Sequence, residues 1–506
     1  MNNSDYLLGL DLGTTRVKVL LVSPDGNVVA SADDDYPLDR PADEAAEQSP
    51  EEWWKASCKV IRSILARPDI EPEQIAGLGL AGQMHTAVFL DENLQPVRPA
   101  ITWADGRSSS QAEKIERRIG EKNLLEITYN RSLPGFTAPK VLWLKENEPE
   151  LFAKVKKVVL PKDYLRYRLT GELIADKADA SATLLFNLAE EEWSDRMLKL
   201  VGLTTDSVPP LVESSSVAGE ITKKAAELTG LAEGTPVVAG AGDQQAGALG
   251  VGAVKPGIVV STIGTGGQLF TTSEELIEPR EGRVHVFRQC LPQSWHVMGA
   301  MQAAGLALRW FKENVVDKAG GGRFNYEDIS ELASKAPVGS NDLLFLPYLT
   351  GERSPHLDPD ARGCFIGLSL NHELPHLLRG IMEGVTFGMR DSMEVLQELG
   401  LPIEEIRCAG GGSKSQVWRK IQSDVYNRAI AKTNIEEPAA LGAALLAGIG
   451  LDLFASEPGE TAAQFLDLSQ KVTPTPSHVE VYDRLHERYQ SLYRVLRPEF
   501  KELAAL

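Results

Sequence analysis

Asp243 is the only ionisable residue in the run Val237-Val-Ala-Gly-Ala-Gly-Asp-Gln-Gln-Ala-Gly-Ala-Leu-Gly250, near the middle of a 506-residue chain. An apolar, strand-like stretch enters the run, and glycines 240, 242, 247 and 250 surround the carboxylate. Glycine lets a backbone turn sharply and approach a ligand closely. A carboxylate so placed has two uses. It can cap a helix beginning at Gln244, the commoner use of Asp at such a start, or it can face a cleft as a general base.

A second carboxylate opens the chain. Asp11-Leu-Gly-Thr-Thr15 lies between two β-rich runs, Tyr6–Leu10 and Val17–Val22, and reads as the tip of a hairpin. Backbone N–H groups, the hydroxyls of Thr14 and Thr15 and the Asp11 carboxylate meet there. That set suits nucleotide phosphates and their Mg²⁺, with Asp11 holding metal-bound water; a plain polar turn is the alternative. Pro24-Asp-Gly26 marks a further turn before strand character resumes at Asn27–Ser31. The device recurs at Ile258–Thr272, where Gly264-Thr-Gly-Gly267 separates two strands. The shared layout points to two similar domains facing each other. Strand Ile406–Ala409 then runs into Gly410-Gly-Gly412 and a helix containing Trp418, so that a base or ribose can lie on the backbone.

Ligands of α/β folds bind where strands end in polar loops. Ile75–Ala81 ends in Gly82-Gln-Met-His-Thr86, where Gln83, His85 and Thr86 can form a hydrogen-bonding edge for a polyol, unless His85 is a structural histidine. In Ile101-Thr-Trp-Ala-Asp-Gly-Arg107, Trp103 offers a flat face to a sugar, while Asp105 and Arg107 can bond hydroxyls or each other. Leu343–His356 reads as a strand running into another polar loop.

The remaining chain supplies the frame. Ser49-Pro-Glu-Glu52 starts a helix with Ser as cap, and its Trp53 and Trp54 belong in the core. Pro134–Leu144 is a turn leading into a helix, and Leu160–Gly171 is a helix ended by glycine with Asp163 near its start. Asp176–Phe186 reads as a loop, Pro438–Gly448 as a small-residue helix that packs closely near a hinge, and His478–Leu506 as one long surface helix.

The length requires at least two large domains. The net charge of −19 argues against nucleic acid or an anionic membrane as partner. The four cysteines lack metal or disulfide spacing and fit a reducing compartment. Without a leader pattern or an uncharged apolar run of membrane-spanning length, a cytoplasmic protein is expected. The oligomeric state is left open, a homodimer included.

Two longer patterns carry a resemblance. Gly135-Phe-Thr-Ala-Pro-Lys-Val-Leu-Trp-Leu-Lys-Glu-Asn147 fits the first signature of the FGGY carbohydrate kinases. Gly363-Cys-Phe-Ile-Gly-Leu368 with His376-Leu-Leu-Arg-Gly-Ile-Met-Glu383 fits the second, departing only at Gly380. The chain resembles that family throughout, and its xylulokinases most. The resemblance implies an α/β fold of two actin-like (ribonuclease H-like) domains, residues 1–250 for the sugar and 251–506 for ATP with a C-terminal helical extension, around a cleft. It implies Asp243 as general base and Asp11 at metal and phosphates, both reaching Mg²⁺ through water. Thr14, Thr15, Lys18, Gly264 and Thr265 are then expected at the phosphates, with Gly411, Gly412 and Ser415 at adenosine. Met84, His85, Trp103, Asp105 and Gln244 are expected at the sugar. Two departures bear on the substrate: Thr86 stands where xylulokinases often have Gly, and Gln244 where they have Asn. Gln244 resembles glycerol kinases, which however carry Arg-Glu in place of Met84-His85. The expected reaction is phosphorylation of D-xylulose at its C5 hydroxyl. Another ketose or polyol, such as ribulose or glycerol, or a non-catalytic sugar sensor are the alternatives.

Overall fold

The computed structural model describes residues 6–23, 27–319 and 324–505, so the turn expected at Pro24–Gly26 lies outside the described residues. The first sheet contains β1 (Tyr6–Leu12), β2 (Arg16–Val22), β3 (Val28–Asp35), β4 (Ile75–Gly82), β5 (Val217–Glu220), β6 (Pro236–Val238) and β7 (Ala241–Gly242). Its order is β5-β6-β4-β1-β2-β3, with β7 also beside β4. The second sheet contains β8 (Gly257–Ile263), β9 (Gly267–Ser273), β10 (His285–Arg288), β11 (Trp295–Met301), β12 (Ile403–Ala409), β13 (Ile430–Lys432) and β14 (Lys471–Val472), in the order β10-β11-β9-β8-β12-β13-β14.

The two sheets share one plan. An antiparallel meander, β1-β2-β3 or β8-β9-β11, is flanked on its first strand by two parallel strands, β4 and β6 or β12 and β13. Each outer edge carries one antiparallel strand, β5 or β14. The duplication expected from the two Gly-Thr turns is therefore present in the shared pairing plan, to which the second sheet adds β10 beside β11.

The helices that support the sheets and the site are α1 (Pro50–Leu65), α2 (Thr137–Asn147), α3 (Asp243–Gly250), α4 (Gly305–Phe311), α5 (Leu374–Glu398), α6 (Gln416–Tyr426), α7 (Pro438–Gly450) and α8 (Pro476–Ala505). Strand side chains alternate between faces. Leu8, Leu10 and Leu12 of β1 pack on one face with Trp53, Val60, Ile61 and Ile64 of α1. Burial of each large apolar side chain there contributes about 1.5–3 kcal/mol. Leu7 and Gly9 point the other way, toward α7.

The second contact is made backbone to backbone. A methyl group added to Gly79 of β4 would lie 1.8 Å from the Ala443 carbonyl oxygen, and one added to Gly442 of α7 would lie 1.8 Å from that of Ala246. The small residues of α7 thus let it lie flat on the first sheet and against α3, as expected of a closely packed helix. The two sheets fall on either side of residue 250, whereas α7, from the second half of the chain, rests on the first sheet.

Two sequence expectations need correction. Asp176–Phe186 is not a plain loop but holds two short helical turns, Lys177–Ala180 and Ser181–Thr183; the Asp176 carboxylate starts the first by accepting from Asp179 N at 3.0 Å. Helix α8 is not merely a surface helix. It buries Val479, Tyr482, Leu485, His486, Tyr489, Tyr493 and Phe500, because its apolar residues recur at helical spacing and complete the second core. Among the described residues no helix is long and apolar enough to cross a membrane.

Candidate active site

The carboxylates of interest meet at one end of the first sheet. Asp11 of β1 is in register with Ala81 of β4, and Ala81 with Ala241 of β7. Neighbouring strands lie about 4.8 Å apart, so Asp243, two residues past Ala241, starts its helix close to Asp11. Gly242 precedes the helix as its cap residue, and Asp243 is the first helical residue. Its carboxylate at the helix start receives hydrogen bonding from Gln244, so a place in the first turn and a place facing the cleft are compatible. Desolvation and the nearby Asp11 charge push the Asp243 carboxyl up to about 7, against hydrogen bonding from Gln244. Desolvation likewise raises Asp11 to about 6, although Lys18 pulls it down. Lys18 faces Asp11 across the β1–β2 pair and binds Glu437 at 2.5 Å. One oxygen of Asp11, Oδ1, is buried without a hydrogen-bond partner.

The first hairpin tip, Gly13-Thr14-Thr15, is clamped from behind through its carbonyl groups. Gly13 O accepts from the Tyr36 hydroxyl and from Gln83 Nε2 (3.3 Å), Thr14 O from Gln48 Nε2, and Thr15 O from Tyr36 N (3.0 Å). In a trans peptide the N–H points away from the C=O of the same unit. The N–H groups of Thr14 and Thr15 are therefore turned to the opposite side. The second tip is held in the same way by the start of α4: Gly264 O accepts from Gly305 N (2.9 Å), and Thr265 O from Ala304 N (3.1 Å) and Leu306 N (3.0 Å). Each tip is thus a preorganised set of donors for an anion.

The loop after β4 forms the neighbouring wall. His85 sits at φ 66°, with Nδ1 2.5 Å from Ala182 O and its ring 4.5 Å from that of Phe136. Burial holds its pKa well below the ordinary value. A neutral imidazole that donates from Nδ1 keeps a lone pair on Nε2, ready to accept from a hydroxyl. The His85 carbonyl accepts from Thr137 Oγ1 (3.0 Å) and from Lys140 Nζ (2.9 Å). Met84 is buried beside Gly242. Thr86 is fully buried; its hydroxyl donates to Gln83 Oε1 (3.1 Å) and accepts from Trp103 N (3.1 Å), so it ties the loop together. Trp103 is 38% exposed, and its indole N–H donates to Thr14 Oγ1 at 2.9 Å. Both oxygens of Asp105 are engaged, by Arg107 (2.9 and 2.8 Å) and by Ala46 N (2.6 Å). Of its two readings, the geometry fits the Asp–Arg pair.

Below the ends of β4 and α3 lies a buried charge cluster. Lys162 Nζ reaches Asp163 (2.6 Å), Asp176 and Asp179 (3.5 Å), and Arg166 reaches Asp163 (3.2 Å), with side chains at most 1% exposed. Three carboxyls against two cations leave one in excess, and desolvation pushes Asp179 well above the carboxylate range.

The second domain contributes a cavity of about 950 Å³, within the size of a small-molecule pocket. Gly264, Thr265, Gly411, Gly412 and Ser415, all named from sequence, line it together. Ser415 caps α6 by accepting from Trp418 N at 3.1 Å. Thr14, Thr15 and Lys18 stand apart from this cavity, on the first hairpin. Sequence reasoning passed over Tyr326 and Arg309 in the cavity wall, the clamps Tyr36 and Gln48, and Lys140. Lys140 had a signal, its place inside the first signature.

Two copies of one actin-like domain, a nucleotide-sized cavity in one and paired carboxylates beside a polar loop in the other, define a phosphotransferase of the actin-like ATPase class. Models of the N-terminal and C-terminal domains of the FGGY family of carbohydrate kinases match residues 6–250 and 259–451. A xylulose kinase of Bacillus subtilis is 38% identical over 96% of both chains, and a gluconokinase of the same organism is 31% identical over 99% of this chain and 98% of its own. A crystal structure described as a xyloylose kinase from Brucella ovis has a TM-score of 0.90 at 36% identity, covering 97% of this chain and 99% of that one. The chain belongs to the FGGY family of carbohydrate kinases, and it is a sugar kinase that uses ATP.

Proposed function

We propose that this kinase phosphorylates D-xylulose at its C5 hydroxyl, with Asp243 as general base and Mg²⁺ accompanying ATP. The observation that carries the reading is Asp243 itself: a carboxyl brought close to neutrality, at a strand end, beside a second carboxylate and the sugar-facing loop. The xylulose kinases among its relatives support the choice of sugar.

A sugar hydroxyl is a weak nucleophile until its proton is taken. Asp243 accepts that proton while the hydroxyl oxygen bonds to the γ-phosphorus and the bond to ADP breaks. The proton then resides on Asp243, and ADP leaves with the bonding electron pair. The Thr14 and Thr15 amides, on the first tip, and the Gly264–Thr265 tip bind the phosphates, and Gly411, Gly412 and Ser415 bind adenosine. Met84, the His85 Nε2 lone pair, Trp103 and Gln244 orient the sugar; Asp105 serves by holding the Trp103 loop through Arg107. Asp11 and Asp243 fit a divalent cation, since Asp11 Oδ1 is a buried acceptor without a donor. When bound there, Mg²⁺ neutralises phosphate charge in the transition state.

ADP release measured with D-xylulose, D-ribulose, glycerol and gluconate tests the proposal. D-xylulose is expected to give the highest kcat/KM. A higher value for another acceptor overturns the assignment of the sugar.

A further inference from the structure

Arg353 belongs to the second domain, in the loop Gly351-Glu-Arg-Ser-Pro-His356, yet its guanidinium lies against the sugar side of the first. A methyl group added to Gly135 would lie 3.2 Å from Arg353 Nη2 and 3.0 Å from the Trp103 carbonyl oxygen. Gly135 O accepts from Lys140 Nζ (2.5 Å), the same ammonium that holds His85 O. The guanidinium is therefore next to the segments that carry Trp103 and His85. Its backbone is fixed: Arg353 N donates to Glu352 Oε1 (2.7 Å), Gln302 N to the same oxygen (2.9 Å), and Ser354 N to Ala300 O (3.0 Å).

The side chain itself has no hydrogen bond or ion pair among the described residues, although it is only partly exposed. A guanidinium carries five donors in a rigid fork and is costly to remove from water without acceptors. Its surroundings supply few. His85, His285 and Lys140 each lose basicity to the Arg353 charge, and the Asp105 oxygens are occupied by Arg107 and Ala46 N. The Glu352 carboxylate acts on it through charge alone, and the donor fork is left free to meet a ligand.

We propose that Arg353 is a substrate-positioning residue that reads the carbonyl end of an open-chain sugar, pairing its fork with the ketone or carboxylate oxygens opposite the hydroxyl to be phosphorylated. The inference rests on the kinase reading above and adds the substrate feature that is recognised. A ketopentose whose C5 hydroxyl is to be phosphorylated cannot close a furanose ring through that hydroxyl, so its C2 carbonyl stays free as an acceptor. A pentitol of the same configuration presents the same terminal hydroxyl without the carbonyl. Because the arginine comes from one domain and the loop from the other, the sugar would also bridge the two.

The test compares D-xylulose with the matching pentitol for the wild type, Arg353→Met and Arg353→Lys. Loss of the fork is expected to lower kcat/KM for the ketose by about a hundredfold. The pentitol value and the KM for ATP are expected to change by less than about threefold. Arg353→Lys, which keeps the charge and loses the fork, should fall between. A merely structural arginine would lower both acceptors together. An unchanged ketose-to-pentitol ratio in both variants overturns the proposal and leaves the kinase reading standing; a wild type that releases no ADP with any sugar removes both.

Discussion

Asp11 lies beside Ala81 of β4 and Asp243 two residues past Ala241 on the other side of Ala81, and the Asp11 charge is one reason the Asp243 carboxyl rises to about 7. A base must be ionised to accept a proton. The kcat/KM of the kinase is therefore predicted to fall on the acid side with a midpoint near 7, reporting the free enzyme. Asp11→Asn removes a negative neighbour, makes ionisation of Asp243 easier and moves that limb to lower pH. A pH–rate profile of both proteins checks the direction; a limb that stays put or moves up contradicts it.

The same shift has a consequence for stability. The folded-state pKa of Asp243 lies above its unfolded value, so the folded protein binds this proton more tightly. Stability from this group is full below the unfolded pKa, near 3.9, and is lost as pH rises toward the folded pKa of about 7. Asp243→Asn removes the buried charge. The variant should therefore be more stable than the wild type at about pH 8, by at most about 4 kcal/mol, and the gap should narrow to less than half of that at about pH 5. Urea unfolding at the two pH values measures it.

The hairpin clamps predict a loss without a sugar-binding defect. Tyr36→Phe deletes the hydroxyl that bonds Gly13 O and leaves the ring in its core. It is expected to lower kcat/KM for ATP by up to about tenfold, the worth of the one neutral hydrogen bond that holds the tip. The dissociation constant of the sugar, measured by calorimetry, should not change.

Two adjacent glycines should behave differently. Around Gly411 a methyl group would meet nothing closer than Ile263 O at 3.8 Å, whereas at Gly412 it would lie 2.6 Å from Ile263 Cβ. Gly411→Val is thus predicted to raise the KM for ATP with the melting temperature unchanged. Gly412→Ala should shift both, because Ile263 must move. Steady-state kinetics with thermal melts separates the two.

Lys162 is predicted to be structural. Lys162→Met strands Asp163, Asp176 and Asp179 without their shared cation, and breaking such a buried pair costs about 3–5 kcal/mol. Denaturant unfolding gives the value, and a change below about 1 kcal/mol would place the cluster in contact with water.

Much of this was legible in the chain because particular residue types do one thing well. Asp11-Leu-Gly-Thr-Thr15 and Gly264-Thr-Gly-Gly267 announce two hairpin tips, and their recurrence foretold the repeated sheet. Gly410-Gly-Gly412 foretold a cavity wall. What escaped depends on contacts between residues far apart in sequence. Tyr36 and Gln48 gain meaning only when β3 and the start of α1 fold behind the first tip. Arg353 lies 218 residues from Gly135 in the chain (353 − 135), and no local pattern joins them. Thr86 read as an alteration of the pocket; buried, it proves to be a tie between Gln83 and Trp103. The buried face of α8 was missed because its charged residues dominate the pattern.

The central claim is that Asp243 takes the proton of the sugar hydroxyl. Sugar-dependent ADP formation by Asp243→Asn, with sugar and ATP affinities measured on the same protein, tests it most directly. The account predicts affinities within about threefold of wild type and turnover lower by at least about a thousandfold. Turnover within about tenfold of wild type at unchanged affinity would contradict it and take the role of base away from Asp243.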